Sequence, residues 1–207
     1  MSNLHPEIFS EYQKTTWGLL DKFFSYGLLA GGTALALQLA HRKSYDFDFF
    51  SAKEIAPSLK NHVQEGLGIK EVLVDTGDEL SVVSSLGIKI SFIAYPFSLL
   101  YPPVSYGKAQ LSDWRDIAAD KAYTIGRRGE WRDYVDIYCS VKAGHRLPAI
   151  ILDASKKFGG AFSEKLLLSQ LYYMGDLKDF SVELLGDQLT PEDIKTFFAR
   201  EVQKISF

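Results

Sequence analysis

An α+β fold is predicted for this chain, with a mixed β-sheet core and flanking helices in its first half and an all-helical region in its second. Three observations carry that expectation. Between Leu28 and Tyr95, short β-rich runs alternate with glycine turns and two helix-forming stretches. From Trp114 onward every apolar stripe has the three- and four-residue spacing of a helix face. Between the two lies Pro96 to Leu111, which holds Pro96, Pro102, Pro103 and Gly107 and has little periodicity. That stretch is expected to be a long loop, dividing an α/β core, residues 1–104, from a helical region, residues 105–207.

Taken in order, Ile8, Phe9, Tyr12, Trp17, Leu20, Phe23 and Phe24 predict a first helix over Pro6 to Phe24. The apolar run Tyr26 to Ala30 then reads as a strand, Gly31-Gly32 as a turn, and Thr33 to Ala40, rich in good helix formers, as a helix. In Asp46-Phe47-Asp48-Phe49-Phe50 the alternation predicts a strand with both carboxylates on one face and Phe47 and Phe49 on the other. Ser51 and Glu54 have the spacing of a capping box and predict a helix from there to about Gly66. Lys70 to Asp75, Glu79 to Ser85 and Ile88 to Tyr95 form an expected meander of hairpins. Helices follow over Asp116 to Ile125, Trp131 to Ala143, Pro148 to Phe158, Ser163 to Met174 and Pro191 to Lys204.

Composition narrows the function. In 207 residues, 46% are hydrophobic and 24% charged, as in ordinary globular proteins. The 23 Lys and Arg against 26 Asp and Glu leave a formal charge of -3, which excludes binding nucleic acid by whole-surface charge and makes any such contact local. The single cysteine, Cys139, sits in a helix stripe and reads as core; it cannot form an internal disulfide, which fits the cytoplasm. No basic segment followed by an apolar run opens the chain, and no stretch approaches ~18 apolar residues, so neither secretion nor a membrane span is expected. His5, His41, His62 and His145 are scattered without metal-ligand spacing.

Two stretches carry the candidate chemistry. In GGTALALQLAHRKSYDFDFF, Gly31 to Phe50, a glycine pair at a helix start lets backbone N–H groups approach a phosphate. Asp46 and Asp48 at strand spacing offer hard oxygen ligands to a divalent ion, so a metal and a triphosphate can share the site. The plainer readings are a tight turn and the solvated face of an edge strand. Arg42 and Ser44 lead into the carboxylates; they either hold phosphate oxygens or orient the strand, and Arg42 equally suits neutralising Asp46 or Asp48. In DIAADKAYTIGRRGEWRDYVDIY, Asp116 to Tyr138, Lys121 precedes Asp133 and Asp136, which share a helix face. A lysine there stabilises charge on a transferring phosphate and an aspartate orients it or accepts a proton, while a salt-bridge cluster between helices explains the same residues.

In that order the two stretches resemble the AbiEii/AbiGii-type toxin nucleotidyltransferases, a branch of the polymerase-β-like nucleotidyltransferase superfamily, over about Leu28 to Tyr138. The resemblance implies a nucleotidyltransferase-like mixed β-sheet core and transfer of a nucleotidyl group from an NTP to an RNA, such as tRNA, or a protein. It implies Mg2+ (or Mn2+) as cofactor, a cognate antitoxin as partner and an active cleft between the two halves. Gly31, Gly32 and Thr33 would cradle the triphosphate, Asp46 and Asp48 would ligate the metal, and Lys121, Asp133 and Asp136 would complete the catalytic site. The sequence departs from the superfamily at one place, because Lys89-Ile90 is followed by Ser91 where a third carboxylate is usual. Glu79 or Asp78 on the neighbouring hairpin could substitute only if the hairpin register, which sequence alone does not fix, brings one of them to the site. A catalytically silent nucleotide- or partner-binding module is the alternative that Ser91 favours.

Overall fold

The computed structural model describes residues 4–186 and 189–205. It separates into two compact units, one holding the residues up to Gln38 together with Lys43–Asp113, the other Leu39–Arg42 together with Trp114 onward. Among the described residues, no helix is long and apolar enough to cross a membrane.

The first unit is built on a seven-stranded mixed sheet: β1 (Leu28–Ala30), β2 (Phe47–Ser51), β3 (Ile69–Asp75), β4 (Glu79–Ser84), β5 (Lys89–Ala94), β6 (Val104–Tyr106) and β7 (Ala109–Leu111), in the order β3-β4-β5-β2-β1-β7-β6. At its centre β1 pairs antiparallel with β2, in the register Leu28↔Phe50, Leu29↔Phe49 and Ala30↔Asp48. On its other side β2 runs parallel to β5, with Asp48 opposite Ser91. The burial alternation is realised, with Phe47 and Phe49 buried while Asp46, Asp48 and Phe50 are half-buried, although β2 begins at Phe47 and Asp46 lies just ahead of it. Phe47 packs on Phe9 and Trp17, and Phe49 stacks on Phe92 with ring centroids 5.3 Å apart. These aromatics anchor the register, because a one-residue slip would bury the carboxylates and expose the rings.

Three expectations change. The first helix does not run to Phe24; α1 (Glu11–Leu19) gives way to 3-10 turns over Leu20–Lys22 and Phe24–Tyr26. The tighter turns, closed by Phe23 N–H to the Leu20 carbonyl and Tyr26 N–H to the Phe23 carbonyl, bury Leu20 and Phe23 while redirecting the chain into β1. Ser51 is no helix cap: the parallel ladder extends through Ser51↔Ala94, and α3 (Leu59–Leu67) begins only after Pro57. The stretch expected as a loop contains β6 and β7, which turn at Gly107 and join the sheet where Leu111 pairs with Leu29. Three-residue strands are too short to show a period, so the sheet unit extends to Asp113 rather than ending at 104.

The second unit is helical, with α4 (Trp114–Ile125), α5 (Trp131–Lys142), α6 (Leu147–Phe158), α7 (Glu164–Tyr172) and α8 (Pro191–Ile205). All five lie within a residue or two of the stretches that periodicity predicts. Tyr123 on α4 stacks against Phe158 of α6 with ring centroids 4.1 Å apart, and α5 buries Trp131, Tyr134, Val135 and Ile137.

Candidate active site

In the sheet unit the site starts from a close approach. α2 (Gly31–Leu39) begins immediately after β1, with Gly31 at φ +64°. Ala30 lies opposite Asp48, and a Cβ on Gly31 would stand 2.7 Å from Asp48 Oδ2. Two demands therefore meet at Gly31, a left-handed backbone and the absence of a side chain, and only glycine satisfies both without strain. The result sets a carboxylate beside a helix start whose first N–H groups have no partner within the helix.

Thr33 lies in the first turn of α2 but is buried, and its hydroxyl is spent on the fold: Oγ1 donates to the Asp46 carbonyl and shares a hydrogen bond of 3.0 Å with Ser44 Oγ. The structure thus brings Gly31, Gly32, Thr33, Ser44, Asp46 and Asp48 together in one unit. Arg42 belongs to the other unit. Its buried guanidinium forks onto Asp136, Nε donating to Oδ1 at 2.6 Å and NH2 to Oδ2 at 2.9 Å.

The third-carboxylate position is occupied as the sequence reads. Ser91 pairs with Asp48 on one side and Ser81 on the other, so the three side chains share one face of the sheet. Glu79 stands opposite Ile93, one row further along, and its carboxylate accepts a 2.6 Å hydrogen bond from Ser81 Oγ. Among the described residues, no three His, Cys, Asp or Glu side chains gather closely enough to hold a metal.

In the helical unit, Lys121 of α4 meets Asp133 Oδ1 at 2.6 Å and Asp136 Oδ2 at 3.0 Å, both on α5. His41 Nε2 adds a contact of 2.8 Å to Asp136 Oδ1. Burial alone would raise the Asp136 carboxyl, but the charges of Lys121 and Arg42 and the hydrogen bonds from Arg42 and His41 outweigh it and hold the group well below the usual carboxylate range. Lys121 is likewise held above its ordinary value: burial opposes its charge, and Asp136 and Asp133 more than restore it. Asp133 Oδ2 is buried without a hydrogen-bond partner. Burial and the nearby Asp136 charge push the half-buried Cys139 thiol up to about 12.

Two groups escaped the sequence reading. Lys157, almost wholly buried on α6, contacts Asp116 at 3.1 Å and Asp120 at 2.6 Å on α4. Nothing in its Lys156-Lys157 neighbourhood signals an inward lysine. Gln13, 1% exposed, donates from Nε2 to the Ser44 carbonyl at 2.7 Å.

A mixed sheet in which a Gly-Gly helix start closes on an Asp-x-Asp strand defines a nucleotidyltransferase fold. The fold is shared by MenT4, a nucleotidyltransferase toxin from Mycobacterium tuberculosis H37Rv, with a TM-score of 0.60 at 16% identity over 91% of this chain and 79% of that one. It is shared too by JHP933 from Helicobacter pylori, with a TM-score of 0.58 at 15% identity over 98% and 93% of the two chains. Residues 19–206 match the nucleotidyl transferase AbiEii toxin of type IV toxin–antitoxin systems, and the chain belongs to that family. A relative in Aquifex aeolicus (strain VF5), described as an uncharacterized protein, is 30% identical over 198 residues, covering 89% of this chain and 93% of its own length.

Proposed function

We propose that this protein is a metal-dependent toxin nucleotidyltransferase that moves a nucleotidyl group from an NTP to an RNA acceptor, tRNA among them, or to a protein, and that a cognate antitoxin restrains it. The observation that carries the reading is the approach of the Asp48 carboxylate to Gly31 at the start of α2. Hard carboxylate oxygens on Asp46 and Asp48 suit Mg2+ or Mn2+, and magnesium is commonly held by one or two carboxylates with substrate phosphates and water completing its shell. An ion held by Asp46 and Asp48 would supply charge neutralisation at the triphosphate and so favour pyrophosphate as the leaving group. The N–H groups at Gly31 and Gly32 receive phosphate oxygens, and Thr33 and Ser44 support the site by fixing the backbone that carries Asp46. Lys121, Asp133 and Asp136 are the nucleotide and catalytic groups that the same reading assigns to the helical unit, and Arg42 supports them by pairing with Asp136.

The test is transfer of label from each of the four α-labelled NTPs, with Mg2+ or Mn2+, to total RNA and to the protein itself. Label on RNA or protein that disappears in Asp46→Ala/Asp48→Ala is the expected result. Label that persists in that variant refutes the mechanism.

Ser91 beside Asp48 favours a second reading, a silent module that binds nucleotide and transfers nothing. A hydroxyl cannot supply the charge that a third carboxylate lends to the metal at the acceptor. Transfer that appears only in Ser91→Asp would establish this second reading; transfer by the natural protein would exclude it.

A further inference from the structure

Asp46 has no place in the sheet's ladder. β2 begins at Phe47, its pairing with β5 opens at Phe47↔Ile90, and its pairing with β1 extends only to Ala30↔Asp48. The backbone at Asp46 is therefore fixed by something other than strand hydrogen bonds, and two buried side chains supply it. Thr33 holds the Asp46 carbonyl and the Ser44 hydroxyl. Gln13, on α1, holds the Ser44 carbonyl. Ser44 is thus gripped at both its carbonyl and its hydroxyl, two residues ahead of the carboxylate.

A buried amide is costly unless its polar atoms are paired. Gln13 Oε1 accepts from the Ser10 backbone N–H at 3.1 Å, and Ser10 Oγ accepts from Gln13 N–H at 3.2 Å, which together make the capping box of α1. That pair completes the capping box without the Gln13 amide nitrogen. The bond to Ser44, across 31 residues of chain, serves a different end.

On the reading of Asp46 as a metal ligand, we infer that Gln13 is a positioning residue: by clamping Ser44 it fixes, with Thr33, the direction in which Asp46 presents its carboxylate to the metal. Gln13 precedes the residues matched to the AbiEii family, 19–206, so the family match assigns it no role. Mg2+ tolerates little departure from octahedral geometry, so a loosened Asp46 weakens the metal site without abolishing it. Groups that hold a metal ligand in place from behind typically contribute ~10–100-fold in metal affinity.

The test compares Gln13→Leu and Gln13→Glu, which both lose the donor to Ser44, with Ser10→Ala, which loses a cap partner and keeps that donor. Gln13→Glu is isosteric and retains the acceptor for Ser10 N–H, so it preserves the helix start if Gln13→Leu does not fold. Melting curves are recorded with ATP, GTP, CTP or UTP across a Mg2+ titration. Both Gln13 variants are expected to raise the Mg2+ concentration for the half-maximal nucleotide-dependent shift by about tenfold. Ser10→Ala is expected to lower the melting temperature without nucleotide and leave that midpoint in place. An unmoved midpoint in the Gln13 variants, or an equal displacement in Ser10→Ala, overturns the inference while leaving the metal reading intact. If the unaltered protein shows no Mg2+-dependent nucleotide shift, the metal reading falls and this inference with it.

Discussion

The acidic pair of the sheet unit and the acidic pair of the helical unit are written in similar residues, yet the fold treats them in opposite ways. Asp46 and Asp48 are half-buried at the end of a strand, one of them against a glycine that leaves it room. Asp133 and Asp136 are buried on α5 and matched by Lys121 and, for Asp136, by Arg42. Carboxylates that keep access to solvent retain the capacity to take a cation from it. Carboxylates compensated inside the fold contribute to stability first, and removing one partner of a buried pair leaves the other charge stranded.

That contrast can be broken experimentally. Asp136→Asn removes the carboxylate that Arg42 forks onto and leaves Lys121 with Asp133 alone, and it is expected to cost about 3–5 kcal/mol, read by denaturant unfolding. Its pH dependence sharpens the point. The Asp136 carboxyl is held low in the fold, so its contribution is complete above the ~3.9 of an unfolded aspartate and is lost as pH falls through the folded value. Lys121 is held high, so its contribution is complete below ~10.4 and is lost as pH rises through its folded value. The difference in melting temperature between the natural protein and Asp136→Asn should therefore be greatest near neutrality and narrow in acid; a difference that stays constant down to pH 3 would show that the ion pairing is not its source. Gly31→Ala comes next. The left-handed backbone costs a non-glycine residue ~1–2 kcal/mol, and the new Cβ also meets Asp48 Oδ2, so this variant should lose some stability and bind nucleotide more weakly.

How much of this was legible in the sequence depended on whether the physics was local. Gly31-Gly32 and Asp46-x-Asp48 could be read because a strand, a turn and a helix written consecutively constrain one another over a few residues. The helices of the second unit were legible because long amphipathic stretches carry their own period. Arg42 could not be assigned, since its buried partner Asp136 lies 94 residues away and a cation beside Asp46 and Asp48 in the sequence looks like theirs. The Ser51 and Glu54 spacing misled because ladder pairing with Ala94 prevailed over a local cap. Gln13 gave no signal in the sequence, because its partner, the Ser44 carbonyl, lies 31 residues away.

The central claim is that metal-dependent nucleotide binding depends on the acidic pair that the fold leaves accessible. Thermal unfolding of the natural protein and of Asp46→Ala/Asp48→Ala, each with and without Mg2+ and the four NTPs, tests it most directly. The account predicts nearly equal melting temperatures without nucleotide, a rise of several degrees with Mg2+ and an NTP in the natural protein, and none in the variant. A variant that keeps the full nucleotide-dependent rise would contradict it.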